Sequence, residues 1–77
     1  MMMLKYVMID HDLGKFPIVF SATIQHEAMK VHGPILSAGF VSFTSENGKV
    51  IVTPNGHSHK LGIGPAPDDA KILSVYF

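Results

Sequence analysis

The residues best suited to chemistry in this chain are its histidines. His57 and His59 stand two apart, and in a strand residues i and i+2 leave the same face. Two imidazoles on one face can begin a transition-metal site. Further ligands would come from His26, His32 or the run Asp10-His11-Asp12, supplied by a helix or a loop. Such a site would serve a small metal-dependent or histidine-based catalyst. A simpler account competes with it. No recognised spacing ties the pair to a third ligand. The face His57, His59, Leu61, Ile63 also grades from polar to apolar, as the end of a sheet should. The expectation is therefore no metal, no cofactor and no catalytic residue, with His57, His59, His26 and His11 as the candidates for the metal alternative.

Other short motifs lack their partners. Asp10-His11-Asp12 has the look of a carboxylate-oriented imidazole, but acids beside a glycine-containing turn are ordinary. Gly56-His57-Ser58 is followed by His59 and Lys60, whereas a nucleophile elbow needs Gly-x-Ser-x-Gly between a strand and a helix. Gly62-Ile63-Gly64 has no third glycine at dinucleotide-binding spacing, and Pro65 removes a donor where a phosphate would dock. Phe16, Phe20, Phe40, Phe43, Tyr76 and Phe77 read first as core, with an exposed subset as an interaction surface.

Composition narrows the field. The six basic residues are all lysines and are balanced by six acids. Without arginine, the usual fork for phosphate and guanine is missing, so nucleic-acid binding is disfavoured and stands as the weakest alternative function. There is no cysteine, which removes disulfides and thiolate metal sites and fits a reducing cytoplasm. Met1 to Ile9 is apolar but is interrupted by Lys5, with no basic region ahead of an unbroken apolar run, so no signal peptide is expected. No stretch approaches the roughly 20 apolar residues of a membrane span. Met1, Met2 and Met3 leave the translation start open.

The elements that must position these residues follow from periodicity. The 77 residues are expected to form one small domain. Residues 4–10 read as a strand apolar on both faces, with Val7 and Ile9 on one and Leu4, Tyr6 and Met8 on the other, hence central. After the turn at Asp10–Lys15, Phe16–Ser21 is a strand that Pro17 assigns to an edge. Ile24, Ala28 and Val31 then fall at i, i+4 and i+7, predicting a short amphipathic helix over 22–32, capped by Ser21 or Thr23 and stopped by Gly33-Pro34. Residues 35–44 form the clearest strand. Ile35, Val41 and Phe43 are expected on one face and Leu36, Ala38 and Phe40 on the other, with Gly39 marking a bulge or a close backbone approach. Asn47-Gly48 is a hairpin turn, Lys49–Thr53 returns, Pro54-Asn55-Gly56 turns again, and His57–Ile63 completes a three-strand meander. Pro67-Asp68-Asp69 opens a C-terminal helix over 67–77, with Ala70, Leu73 and Phe77 in one stripe. The fold class is α+β: a four- to five-stranded, mainly antiparallel sheet, one short internal helix and a C-terminal helix.

Taken together, Ser37-Ala38-Gly39-Phe40-Val41, Gly56-His57-Ser58 and the helix start Pro67–Ala70 resemble small proteins encoded in bacteriophages and prophages, for which no activity is assigned. The resemblance spans roughly residues 4–75. It implies a phage-type accessory protein acting in the cytoplasm of a bacterial host. Ala66 stands where an arginine often precedes the helix-opening proline, so no basic role is expected there. A core this small buries only about 60–65% of the unfolded surface. It lacks staples, its strands are apolar on both faces, and its net charge is zero. These features favour a non-enzymatic interaction module that binds itself, as a homodimer, or a host protein.

Overall fold

The computed structural model describes residues 2–12, 14–58 and 61–77. Four strands, β1 (Met2–His11), β2 (Gly14–Phe20), β3 (Ile35–Glu46) and β4 (Lys49–Asn55), form one antiparallel sheet in the order β2-β1-β3-β4. A 3₁₀ helix (His26–His32) joins β2 to β3, and α1 (Asp69–Tyr76) ends the chain. The class is α+β, and the sheet has four strands.

β1 is central because both of its faces are apolar. Tyr6 and Met8 pack with Val41, Val52 and Leu73 on the side covered by α1. Val7 and Ile9 pack with Ala38, Ile35 and Met29 on the side covered by the 3₁₀ helix. Pro17 lies in β2, an edge strand, where a missing N–H need not break a ladder. Glu46 pairs directly with Lys49 across Asn47-Gly48, whose φ angles are 52° and 78°. That is a two-residue type I′ turn, and its positive φ values explain the Asn-Gly choice.

Several expectations need correction. Among the described residues of the predicted strand at 57–63 no strand forms, and its His59 and Lys60 lie outside the described residues. Ser58 and Ile63 make only an isolated bridge, closed by Ser58 N–H to Ile63 O at 2.8 Å and Gly62 N–H to Ser58 O at 2.9 Å. The described residues leave the sheet because the apolar ones among them are used elsewhere. Leu61 and Ile63 fold under the sheet against the Val7 cluster instead of pairing with β4. The meander is thus a hairpin. Where β4 stops, the returning chain offers Gly64 O to Ala38 N–H at 3.3 Å.

The internal helix is shorter and tighter than predicted. Val31 is 83% exposed, and Ile24 and Ala28 are also exposed, so the expected stripe faces solvent. His26 and Met29 face the sheet instead, three residues apart, which matches the 3.0-residue period of a 3₁₀ turn. Ser21 and Thr23 do not cap it. They bond each other and close a turn upstream, and Gln25 precedes the first helical residue. In α1 the inward row is Asp69, Ile72 and Leu73, whereas Ala70 is exposed.

β3 also departs from simple alternation. The register shifts between Met8 and Ile9, so that Met8 meets Ser37 while Ile9 meets Ile35. This bulge turns Ile35 onto the Ala38 face, against its sequence parity. Gly39 marks no bulge but a close approach. A Cβ there would lie 2.8 Å from Asn55 O, 3.2 Å from Pro65 Cγ and 3.3 Å from Tyr6 Cε1.

Candidate functional site

The candidate histidines differ in burial and surroundings. His57 follows β4 and is exposed, while His59 lies outside the described residues. His26 is buried on the 3₁₀-helix face, its ring edge-on between Phe20 and Phe40 at centroid distances of 5.7 and 5.6 Å. Its Nε2 is 2.7 Å from Gly39 O, one residue past the Phe40–Asn55 pair where β4 stops. This geometry suits a core histidine that satisfies a carbonyl near a strand end. Among the described residues, no three histidine or acidic side chains are grouped to hold a metal ion.

His11 and His32 do converge. They line a cleft of about 410 Å³ beside the start of β2, together with Ile9, Lys15, Phe16 and Tyr76. Phe16 contacts His11 at 6.2 Å and meets Tyr76 edge-on at 6.1 Å. The cleft therefore sets two imidazoles, an ammonium and a phenol over apolar walls. No serine, threonine or carboxylate is among its lining residues. Such a lining can hold a small ligand.

A buried polar network, not foreseen from the sequence, joins α1 to the sheet. Tyr6 and Asp69 are both fully buried, and the Tyr6 hydroxyl donates to Asp69 Oδ2 at 2.6 Å. The Ala66 amide donates to the same oxygen at 2.9 Å, a reach-back bond that fixes the helix start. Lys15 Nζ lies 2.8 Å from Asp68 Oδ1 and 3.7 Å from Asp69 Oδ1. Burial first, and then the bond to and charge of Asp69, push the Tyr6 phenol far above its ordinary range. The network, buried and bonded on both sides, anchors α1 to the sheet. The sequence signal was the doubled acid before the helix. An exposed helix start is served by one acid, and the second, Asp69, points inward.

The aromatic candidates divide. Phe16, Tyr76 and Phe77 are exposed, by 45%, 55% and 52%. Phe20 and Phe40 are half-buried against His26, and Phe43 is half-buried with its ring 5.9 Å from that of Phe77. Val50 adds exposed apolar surface on the sheet face that carries Phe43 and Val52, and Val75 adds more on α1. Among the described residues, no helix is long and apolar enough to cross a membrane. Comparison with known proteins finds no family model that matches the chain, no similar curated protein and no matching solved structure.

Proposed function

We propose that this protein is a non-enzymatic interaction module that binds a protein surface, either its own or that of a partner in a bacterial cytoplasm, in the manner of a phage-type accessory protein. The observation that carries this reading is the display of large apolar side chains on β4 and the end of α1. Val50 is 58% exposed, Val75 78% and Phe77 52%, on a chain with no net charge to repel a neighbour. Exposed apolar surface of this kind is the usual mark of association. Phe43 and Phe77, already packed edge-to-face, supply the rigid aromatic anchors that binding surfaces favour.

The test compares the wild-type chain with one carrying Val50→Glu and Val75→Lys. Sedimentation measures the mass of each over a wide concentration range, and immobilised chain is offered bacterial lysate. Self-association, or retention of one specific protein, that the paired substitution abolishes supports the reading. A wild-type monomer that retains nothing specific overturns it. The second reading, a histidine-based metal catalyst, rests on His57 with His59, or on His11 and His32 in the cleft. Metal analysis of the purified protein decides that one directly.

A further inference from the structure

We infer that the outer edge of β4 is a self-pairing edge, which joins a second copy of this chain antiparallel across a two-fold axis at Ile51. The inference rests on the interaction-module reading and names its surface and occupant. The sheet order leaves two edges, β2 and β4. Each carries one lysine and one proline, and they differ in where the proline falls, mid-strand in β2 and next to last in β4. β2 carries Lys15 and Pro17, the residues with which proteins blunt an edge. β4 reads Lys-Val-Ile-Val-Thr before its proline, a run of β-branched residues with a single charge at its start. No glycine or bulge interrupts its pairing with β3 from Lys49 to Asn55.

The hairpin register states which groups point outward. Glu46 and Lys49 close a two-residue turn, so they exchange backbone bonds, and bonded pairs then alternate along the ladder. Lys49, Ile51 and Thr53 therefore face β3 with their N–H and C=O groups. Val50 and Val52 turn theirs outward, and Pro54 offers only a carbonyl. Among the described residues, no turn, loop or side-chain hydrogen bond takes up the outward groups of Val50 and Val52.

Those groups are self-complementary. With the axis at Ile51, Val50 of one copy lies opposite Val52 of the other, and each pair exchanges both backbone bonds. Every outward donor and acceptor of the two valines is then satisfied. Lys49 falls opposite Thr53 and not opposite another lysine. The next pair outward would need an N–H from Pro54, so pairing stops there. An axis at Val52 instead sets Val50 against Pro54 and leaves the Val50 carbonyl without a donor. The pleat excludes an axis between residues, since paired side chains must share a face. Val50 and Ile51, 58% and 39% exposed on opposite faces, each gain cover from the new neighbour. A second copy is favoured as occupant because the edge supplies its own complement in sequence, length and hydrogen bonding.

Sedimentation equilibrium of the full chain, from micromolar to millimolar concentration, is expected to show a monomer–dimer equilibrium. Val50→Pro removes one outward N–H and leaves the β3 ladder intact, so it should weaken dimerisation about tenfold or more at an unchanged circular dichroism spectrum. Ile51→Cys is the independent arm, in a chain that has no native cysteine. Residues 51 of the two copies would form a non-bonded pair with Cα atoms about 4.5 Å apart, within disulfide reach. Mild oxidation should link this variant far faster than Thr44→Cys, which is exposed but one strand inward. A monomer at millimolar concentration, a dimer indifferent to Val50→Pro, or equal cross-linking of the two cysteine variants overturns the inference. A dimer built on another surface, or a monomer that captures a different protein, overturns the β4 edge but leaves the interaction module standing. A monomer that captures nothing overturns both.

Discussion

Tyr6→Phe isolates the bond that ties α1 to the sheet. The substitution removes one oxygen from a fully buried ring and leaves the apolar packing of the Met8–Leu73 cluster in place. What it strips is the 2.6 Å bond to Asp69 Oδ2, whose remaining donor is the Ala66 amide. A hydrogen bond to a buried charged group is worth about 1.5–3 kcal/mol, because the carboxylate left behind keeps its desolvation cost. For a domain of this size that corresponds to a fall in Tm of about 6–24 °C. The same bond has a pH signature. The folded-state Tyr6 pKa is raised, first by burial and then by Asp69, so the unfolded chain loses this proton above about pH 10 while the folded chain keeps it. The contribution is complete below the unfolded value. It is lost as pH rises beyond it, by up to about 1.4 kcal/mol per pH unit. Lys15, held up by Asp68, acts in the same direction, but it is present in both proteins and cancels in the comparison. Urea unfolding followed by circular dichroism at neutral pH, and then through the alkaline range, reads both effects. A loss under about 0.5 kcal/mol, or equal alkaline slopes for wild type and Tyr6→Phe, would refute the role assigned to this pair.

Other substitutions probe the rest of the frame. Gly39→Ala forces a Cβ to within 2.8 Å of the Asn55 carbonyl and should cost about 1–3 kcal/mol in thermal or chemical unfolding. Gly48→Val puts a β-branched residue at φ 78° and should cost about 1 kcal/mol or more in chemical unfolding. His26→Phe keeps a ring between Phe20 and Phe40 but gives the Gly39 carbonyl no donor, for an expected loss of about 1–3 kcal/mol. Zinc or chelator should leave Tm unchanged, whereas a ligand bound to the folded chain at a hundred times its Kd would add about 2.7 kcal/mol. A zinc-dependent rise abolished by His59→Ala would move the metal reading to first place.

Much of this architecture was legible in short stretches of sequence. The central position of β1 follows from its two apolar faces, the edge position of β2 from Pro17, and the β3–β4 turn from Asn47-Gly48. Each depends on local chemistry: alternation, a missing donor, a need for positive φ. What periodicity could not reach was the choice between near-equal local options. The Ile24–Val31 stripe suits an α-helix, yet His26 and Met29 face the sheet, because a buried imidazole that satisfies the Gly39 carbonyl and packs two phenylalanines outweighs a marginal short helix. Leu61 and Ile63 alternate like a strand, yet the face of the sheet beneath Val7 and Ile9 needed cover, and they supply it as a loop.

The sequence by itself determined the central place of β1, the edge place of β2, the β3–β4 hairpin and the absence of thiol chemistry, all set by residue type within a few positions. Only the tertiary structure decided which side chains share a site. It buried His26 and left His57 exposed, brought His11 and His32 to one cleft, and joined Tyr6 to Asp69 across 63 positions. It also decided which of two adjacent acids is buried, leaving Asp68 to Lys15 at the surface and turning Asp69 inward. The reason is physical. A buried carboxylate is tolerated only where donors converge on it, and the donors here come from β1 and the loop before α1, which meet only once the sheet has formed.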